Sequence, residues 1–233
     1  MTLAVARRRR KQISWALVAV SAIGIAVFSA PAYLTGDTSV SRIPINPDVA
    51  VHYLSIVVHA LPTCLVLFIR PFQFAATLRA RRPALHRILG RVYMISMVIA
   101  SIASIAAATF TTSGFSVQVG FYLLTAAWLY SLVMAFRSIR QGQVQLHRIW
   151  MIRNYALTFA AVLLRVFLGT GLLLREGPLP WLTFDEVYAA SVSASILVCA
   201  VYAEYFIIQK TLTPLLRRRE RGPEAAARAA STP

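Results

Sequence analysis

The sequence predicts an all-α integral membrane protein of six transmembrane helices, four of them forming a central four-helix bundle built from a tandem helical-hairpin repeat. Three observations carry this expectation. Of the 233 residues 58% are hydrophobic and only 14% charged, with a mean hydropathy of +0.65, whereas soluble domains are about a quarter charged. Six windows are each long and apolar enough to cross the ~30 Å hydrocarbon layer as a helix. The second and fourth windows, with the loops that follow them, also resemble each other.

Residues 1–12 form a basic N-terminus with "RRRRK" at 7–11, and the first window, 13–33, follows it. A basic segment before an apolar stretch also begins a signal peptide. Here the stretch is long and the small-residue site "FSAPA" holds a proline that hinders cleavage, so a retained helix is expected. "TGDTSVSRIPINPD" leads to the second window, 50–69, and "RPFQFAATLRARRPALHR" to the third, 89–111. "TTSG" precedes the fourth, 117–136, "RSIRQGQVQ" the fifth, 149–174, and "REGPLPWLTFDE" the sixth, 187–208. These connectors carry the turn and charge residues that end helices. Residues 13–208 thus read as one membrane domain, and 209–233 as a basic tail expected to be disordered.

A net charge of +16 and a pI near 11 are the usual footprint of nucleic-acid binding, but the placement of the charge excludes that reading. With both termini inside the cell, twenty of the 24 Lys and Arg fall on the cytoplasmic side and only Arg42 and Arg175 outside. This is the positive-inside pattern, and it predicts a multi-pass protein of the plasma (inner) membrane with cytoplasmic N- and C-termini. The partner it implies is the lipid bilayer. Cys64 and Cys199 lie within windows, which makes a disulfide framework unexpected.

The repeat appears when "VHYLSIVVHALPTCLVLFIR" is laid beside "FYLLTAAWLYSLVMAFR", with His52 against Phe121, Tyr53 against Tyr122 and His59 against Trp128. A basic loop and an "LHRI" start, at 85–88 and 146–149, follow each. Hairpins at about 50–111 and 117–174 then share one orientation, the parallel-repeat case.

His86 and His147 become equivalent positions at the cytoplasmic starts of the third and fifth helices. Two facing histidines can ligate one b-type haem iron from both sides, with Arg87, Arg91, Arg148 and Arg153 near for its propionates. Against this stands the plainer role of an interfacial or capping "HR" pair. His59 lies seven residues deeper than His52 on the same side, about 10.5 Å by helical rise, and a polar side chain near mid-bilayer marks a functional position.

Glu204 lies about one turn inside the boundary of the sixth window and Arg153 at the same depth in the fifth, which predicts a structural ion pair. Arg165 has no carboxylate at its level and cannot lose its proton. It either snorkels outward or lines a pocket with His52, His59, Tyr53, Trp128 and Asn154 for a quinone head group or a haem.

The segments "PFQF" at 71–74, "LHRILGRVY" at 85–93 and "HRIWMIRNYALTFAAVLLR" at 147–165 resemble the signature of a bacterial family of predicted multi-pass membrane proteins, catalogued as a domain of unknown function. The resemblance covers roughly residues 50–208. It implies membrane location and this helix count, and supplies no established activity. Its motif residues fall on His59, Gln73, His86, Gly90, Arg91, Tyr93, His147, Arg148, Trp150, Arg153, Tyr155 and Arg165. The histidine layout is also similar to that of the cytochrome b561-like bundles, which pair histidines at both membrane faces. Here Trp128 stands in the place of a second mid-helix ligand, against a two-haem wire.

No P-loop, GxSxG, HExxH, CxxC or Rossmann fingerprint occurs, which leaves hydrolase, nucleotide-binding and structural-zinc readings without support. Two further classes stay open beside the redox reading. A transporter would use Pro62, or Gly169 with Gly171, to break a helix around a site. A non-catalytic assembly subunit would form homo- or hetero-oligomers through the small-residue stripes at 99–108 and 189–200.

Overall fold

The computed structural model describes residues 2–41, 43–207, 209 and 213. The predicted tail, 209–233, lies almost entirely outside the described residues. Among the described residues the chain forms eight α-helices, one short 3-10 turn and no strand: α1 (Thr2–Ser29), α2 (Pro31–Leu34), α3 (Ala50–Phe74), α4 (Ala76–Arg81), α5 (Pro83–Thr109), α6 (Phe115–Arg140), α7 (Val144–Glu176) and α8 (Phe184–Ile207). Six segments are long and apolar enough to span a membrane: Gln12–Leu34, Ala50–Phe74, Pro83–Thr109, Phe115–Arg140, Val144–Glu176 and Phe184–Ile207.

These spans match the six windows but run further at the end that carries the Arg-rich connections. α3 continues to Phe74, α5 begins at Pro83, α6 reaches Arg140 and α7 begins at Val144. Arginine and leucine are good helix formers, so the helices outlast the apolar stretch. Pro83 opens α5 in the first turn, where its missing N–H costs nothing.

Neighbours in sequence pack side by side: α3 on α5, α5 on α6, α6 on α7 and α7 on α8. α7 also touches α3, α1 lies against α3, and α8 touches α6. Trp15 Nε1 donates to the Pro71 carbonyl at 3.3 Å, fastening α1 to α3. The turn between α6 and α7 is a Schellman motif: Gln143 N donates to Ser138 O at 2.8 Å and Gly142 N to Ile139 O at 3.1 Å. Gly142 takes φ +73 there, a conformation that carries no Cβ penalty only for glycine.

The small-residue stripes are used inside the chain. Ala100, Ser101, Ala103, Ser104 and Ala108 of the first stripe, and Ser191, Ser195 and Cys199 of the second, are buried against neighbouring helices. Cys64 and Cys199 are both free thiols.

α3 passes through Pro62, and α7 through Gly169 and Gly171, without interruption. The broken helix that a transporter reading would use at these positions is therefore not formed. The two glycines differ in surroundings. A Cβ on Gly171 would lie 2.5 Å from Val187 Cγ1 of α8, whereas one on Gly169 meets nothing within 4 Å. Gly171→Ala is expected to cost about 1–3 kcal/mol through this clash, while Gly169→Ala should be neutral or gain up to ~1 kcal/mol from helix propensity. Thermal unfolding of both variants in detergent checks the difference. Adding Val187→Ala should restore most of what Gly171→Ala loses.

Candidate functional site

A cavity of about 380 Å³ lies where the six spans converge, and each of them contributes to its wall. Its lining is mostly apolar, from residues such as Ile25, Leu67, Leu124, Leu168 and Val192. Into this wall are set His52, His59, Cys64, Trp128, Arg165 and Tyr188. A concave apolar chamber with a few polar groups is the usual form of a small-molecule site.

The two histidines of α3 enter it differently. His52 is 1% exposed, and its Nδ1 accepts from the Asn46 backbone N–H at 2.8 Å. That bond puts the ring proton on Nε2 and ties the loop before α3 to the helix. At the next connection but one, Asn46 Nδ2 reaches the Phe110 carbonyl at 3.5 Å. The nearby Asp37 carboxylate accepts from the Ser39 amide at 2.8 Å, and these Ser39 hydrogen bonds hold its carboxyl below the usual range.

His59 is half-buried, with Nδ1 2.9 Å from the Ala100 carbonyl of α5. A carbonyl can only accept, so Nδ1 carries the proton and Nε2 keeps its lone pair. The ring stacks on Trp128 with centroids 5.9 Å apart and planes at 23°. Trp128 is 4% exposed, and its Nε1–H is buried with no acceptor among the described residues.

Arg165 sits eleven residues before the end of α7. Its Nη1 donates to Ala161 O at 2.8 Å, one turn back on the same helix, which leaves four of its five N–H groups without an acceptor among the described residues. It lies within electrostatic reach of His59, Cys64 and Tyr188.

Two residues expected in this pocket are elsewhere. Tyr53 packs in the cluster of Ala32, Tyr33 and Ile56, and its hydroxyl reaches the Asp37 carbonyl at 3.4 Å. Asn154 is fully buried beneath the cavity. Its Oδ1 accepts from Tyr93 OH at 2.6 Å, and its Nδ2 donates to Trp128 O at 3.0 Å and Ser131 Oγ at 2.9 Å. Asn154 thus joins α5, α6 and α7 under Trp128. The buried Thr125–Ser104 hydroxyl pair at 2.8 Å and Tyr188 were not singled out in the sequence, and Tyr93 was named there only as a motif residue of the resembled family. Their signal was only a polar atom at a helix-core position.

The remaining sites lie toward the basic end. His86 and His147 are half-buried and within electrostatic reach of each other, but neither lines the cavity. His147 Nδ1 is 2.8 Å from the Ala135 carbonyl, and Ala135 and Met151, about one turn along α7 from His147, belong to a packed core that continues inward through Leu132, Tyr93 and Met97. Arg91 and Arg148 are exposed. Arg153 and Glu204 meet in a bidentate pair, Nε–Oε1 at 2.5 Å and Nη2–Oε2 at 2.9 Å, with the guanidinium 4.6 Å over the Trp150 ring. Both side chains are partly exposed on the outer face of α7 and α8, away from the cavity. No group of three or more metal-ligating side chains occurs among the described residues.

One residue that the sequence reading placed in a loop belongs to the interior. Arg70 is within α3 and 5% exposed. The apolar run "LVLFIRPFQF" continues past it, which was the available signal.

No curated protein and no solved structure matches the chain. A family model described as "Predicted membrane protein (DUF2306)" matches residues 56–207, a range that holds four of the six spans whole, most of a fifth, and every polar wall residue named above except His52. The chain belongs to this family of predicted membrane proteins, DUF2306.

Proposed function

We propose that the protein binds a quinone-type molecule, an aromatic ring carrying carbonyl or hydroxyl oxygens on an apolar tail, in the cavity between His59 and Arg165. The observation that carries this reading is the pairing, inside one apolar chamber, of an imidazole acceptor with a guanidinium that has no carboxylate partner among the described residues. Arg165 donates to a ring carbonyl. His59 Nε2 accepts from a ring hydroxyl in the reduced form. Trp128 offers a ring face and a free Nε1–H, and the apolar wall suits a prenyl tail.

The basic end, with the α3–α5 and α6–α7 connections, faces the cytoplasm of a plasma membrane in this reading. The cavity then lies in the outer half. The tandem repeat is supported by contacts between positions that it makes equivalent: His59 on Trp128, His86 near His147, and, continuing the "LHRI" register, Tyr93 on Asn154. A two-fold axis between two hairpins brings such pairs together.

A b-type haem held by His86 and His147 is the weaker proposal. Neither histidine lines the cavity, and a macrocycle inward of them would have to displace the packed Ala135 and Met151 side chains. The check is an absorption spectrum of haem-supplied protein before and after dithionite, with split visible bands lost in His147→Ala as the result that would favour haem.

The quinone reading is tested by titrating the detergent-purified protein with decylubiquinone and following tryptophan fluorescence. Quenching should saturate, and in the same titration with the reduced form, decylubiquinol, His59→Ala should raise the half-quenching concentration about tenfold, the worth of one lost hydrogen bond in a dry site. Identical linear quenching in both proteins would mean simple partition into the micelle and no site.

A further inference from the structure

Arg70 is a permanent cation within a membrane span and 5% exposed. The single ion pair among the described residues joins Arg153 to Glu204, so no carboxylate there answers it. Its Nη2 donates to the Met151 carbonyl at 2.8 Å. Three aromatic rings surround the guanidinium, those of Phe74 at 4.4 Å, Tyr93 at 4.8 Å and Tyr155 at 5.8 Å. Ring faces offset part of the cost of burial, but a cation removed from water is usually held by a counter-charge.

The same cage contains polar atoms with no partner among the described residues. Arg70 Nε, the Tyr155 hydroxyl and His86 Nδ1 are each buried and unsatisfied. Arg70 is within electrostatic reach of both His86 and His147. Gln73, 5% exposed, bonds the His86 carbonyl at 3.2 Å and closes α3 onto the start of α5. Around this end stand exposed Arg79, Arg81, Arg82, Arg87 and Arg91, which raise the local concentration of anions.

We propose that the Arg70 cage binds an anionic oxygen group, a phosphate or carboxylate, delivered by a lipid headgroup or by a soluble anion. Arg70 Nε–H and the Tyr155 hydroxyl donate to its oxygens, and the group supplies the counter-charge that the described residues lack. This site is separate from the His59–Arg165 cavity, whose lining includes neither Arg70 nor Tyr155, so either proposal stands if the other fails.

The test uses the full chain in a neutral detergent at fixed ionic strength, with the thermal midpoint as readout. Three probes are titrated: inorganic phosphate, dihexanoyl phosphatidylglycerol and dihexanoyl phosphatidylcholine. A saturating rise with phosphate assigns a soluble anion. A rise with phosphatidylglycerol, but not with phosphate or phosphatidylcholine, assigns a lipid headgroup. In both cases Arg70→Gln should abolish the rise, and Tyr155→Phe, which keeps the ring, should raise the half-saturating concentration roughly tenfold. Tyr155→Phe carries the test should Arg70→Gln not fold. Arg175→Gln, on the exposed surface at the far end of α7, should change nothing. No saturating rise in the unaltered protein, or an equal rise in Tyr155→Phe and Arg70→Gln, would overturn the proposal and leave Arg70 as a cation held by aromatic faces alone.

Discussion

Asn154→Leu is expected to lower stability in detergent by about 2–4 kcal/mol, the largest loss foreseen for any single side chain outside the apolar core. Leucine fills a similar volume, so the loss comes from hydrogen bonds and not from a cavity. Three bonds to two neighbouring helices disappear at once, to Tyr93 OH, Trp128 O and Ser131 Oγ. Interhelical hydrogen bonds in membrane proteins are worth about 0.6 kcal/mol on average and up to ~1.7 each. Here all three converge on one fully buried amide, and leaving its partners unsatisfied adds a desolvation cost. Tyr93→Phe removes one of the bonds and should cost about 1 kcal/mol. In the double variant the losses should be less than additive, because both substitutions delete the same bond. Thermal or denaturant unfolding of the three variants measures this directly. Because Asn154 holds the Trp128 carbonyl, Asn154→Leu should also weaken ligand binding in the cavity above it.

Arg165→Met is expected to move affinity and stability in opposite directions. Among the described residues the guanidinium makes one bond, to a carbonyl of its own helix, and has no carboxylate partner. Replacing a poorly compensated charge in a membrane span by an apolar side chain of similar length removes a desolvation cost. The unfolding midpoint should therefore rise or stay level. Binding of decylubiquinone should weaken by about 10–100-fold, the worth of a charge-assisted hydrogen bond of roughly 1.5–3 kcal/mol. A purely structural arginine gives the reverse, with lower stability and unaltered binding.

The membrane architecture was legible because six uninterrupted apolar windows leave little else to build. The largest errors in those windows, four to six residues, have one direction. α3, α5, α6 and α7 all run on into the basic end, since hydropathy falls at an arginine while helix propensity does not. That same cut at residue 69 hid Arg70, which was counted among loop charges and sits instead in an aromatic cage. His59, Trp128 and Arg165 were legible by depth, because a polar or aromatic group far from either helix end has few bland roles in a bilayer.

What depth could not give was direction around the helix axis. Asn154 and Tyr53 are at suitable heights, yet Asn154 turns into the α5–α6–α7 packing and Tyr53 toward the loop before α3. The LHRI histidines show the converse. Their symmetry was visible, but whether the space between them is open or filled depends on Tyr93, Met97 and Met151 arriving from other turns.

The most direct test of the central claim, that the chamber between His59 and Arg165 is a ligand site, is photolabelling of the intact protein with an azido-ubiquinone followed by peptide mass spectrometry. Labels confined to cavity-lining residues, chiefly those of α3 between His52 and Leu67 and of α7 between Ala160 and Leu172, and removed by excess decylubiquinone, are the predicted result. Labels spread over the lipid-facing residues of all six spans, unaffected by competitor, would contradict it.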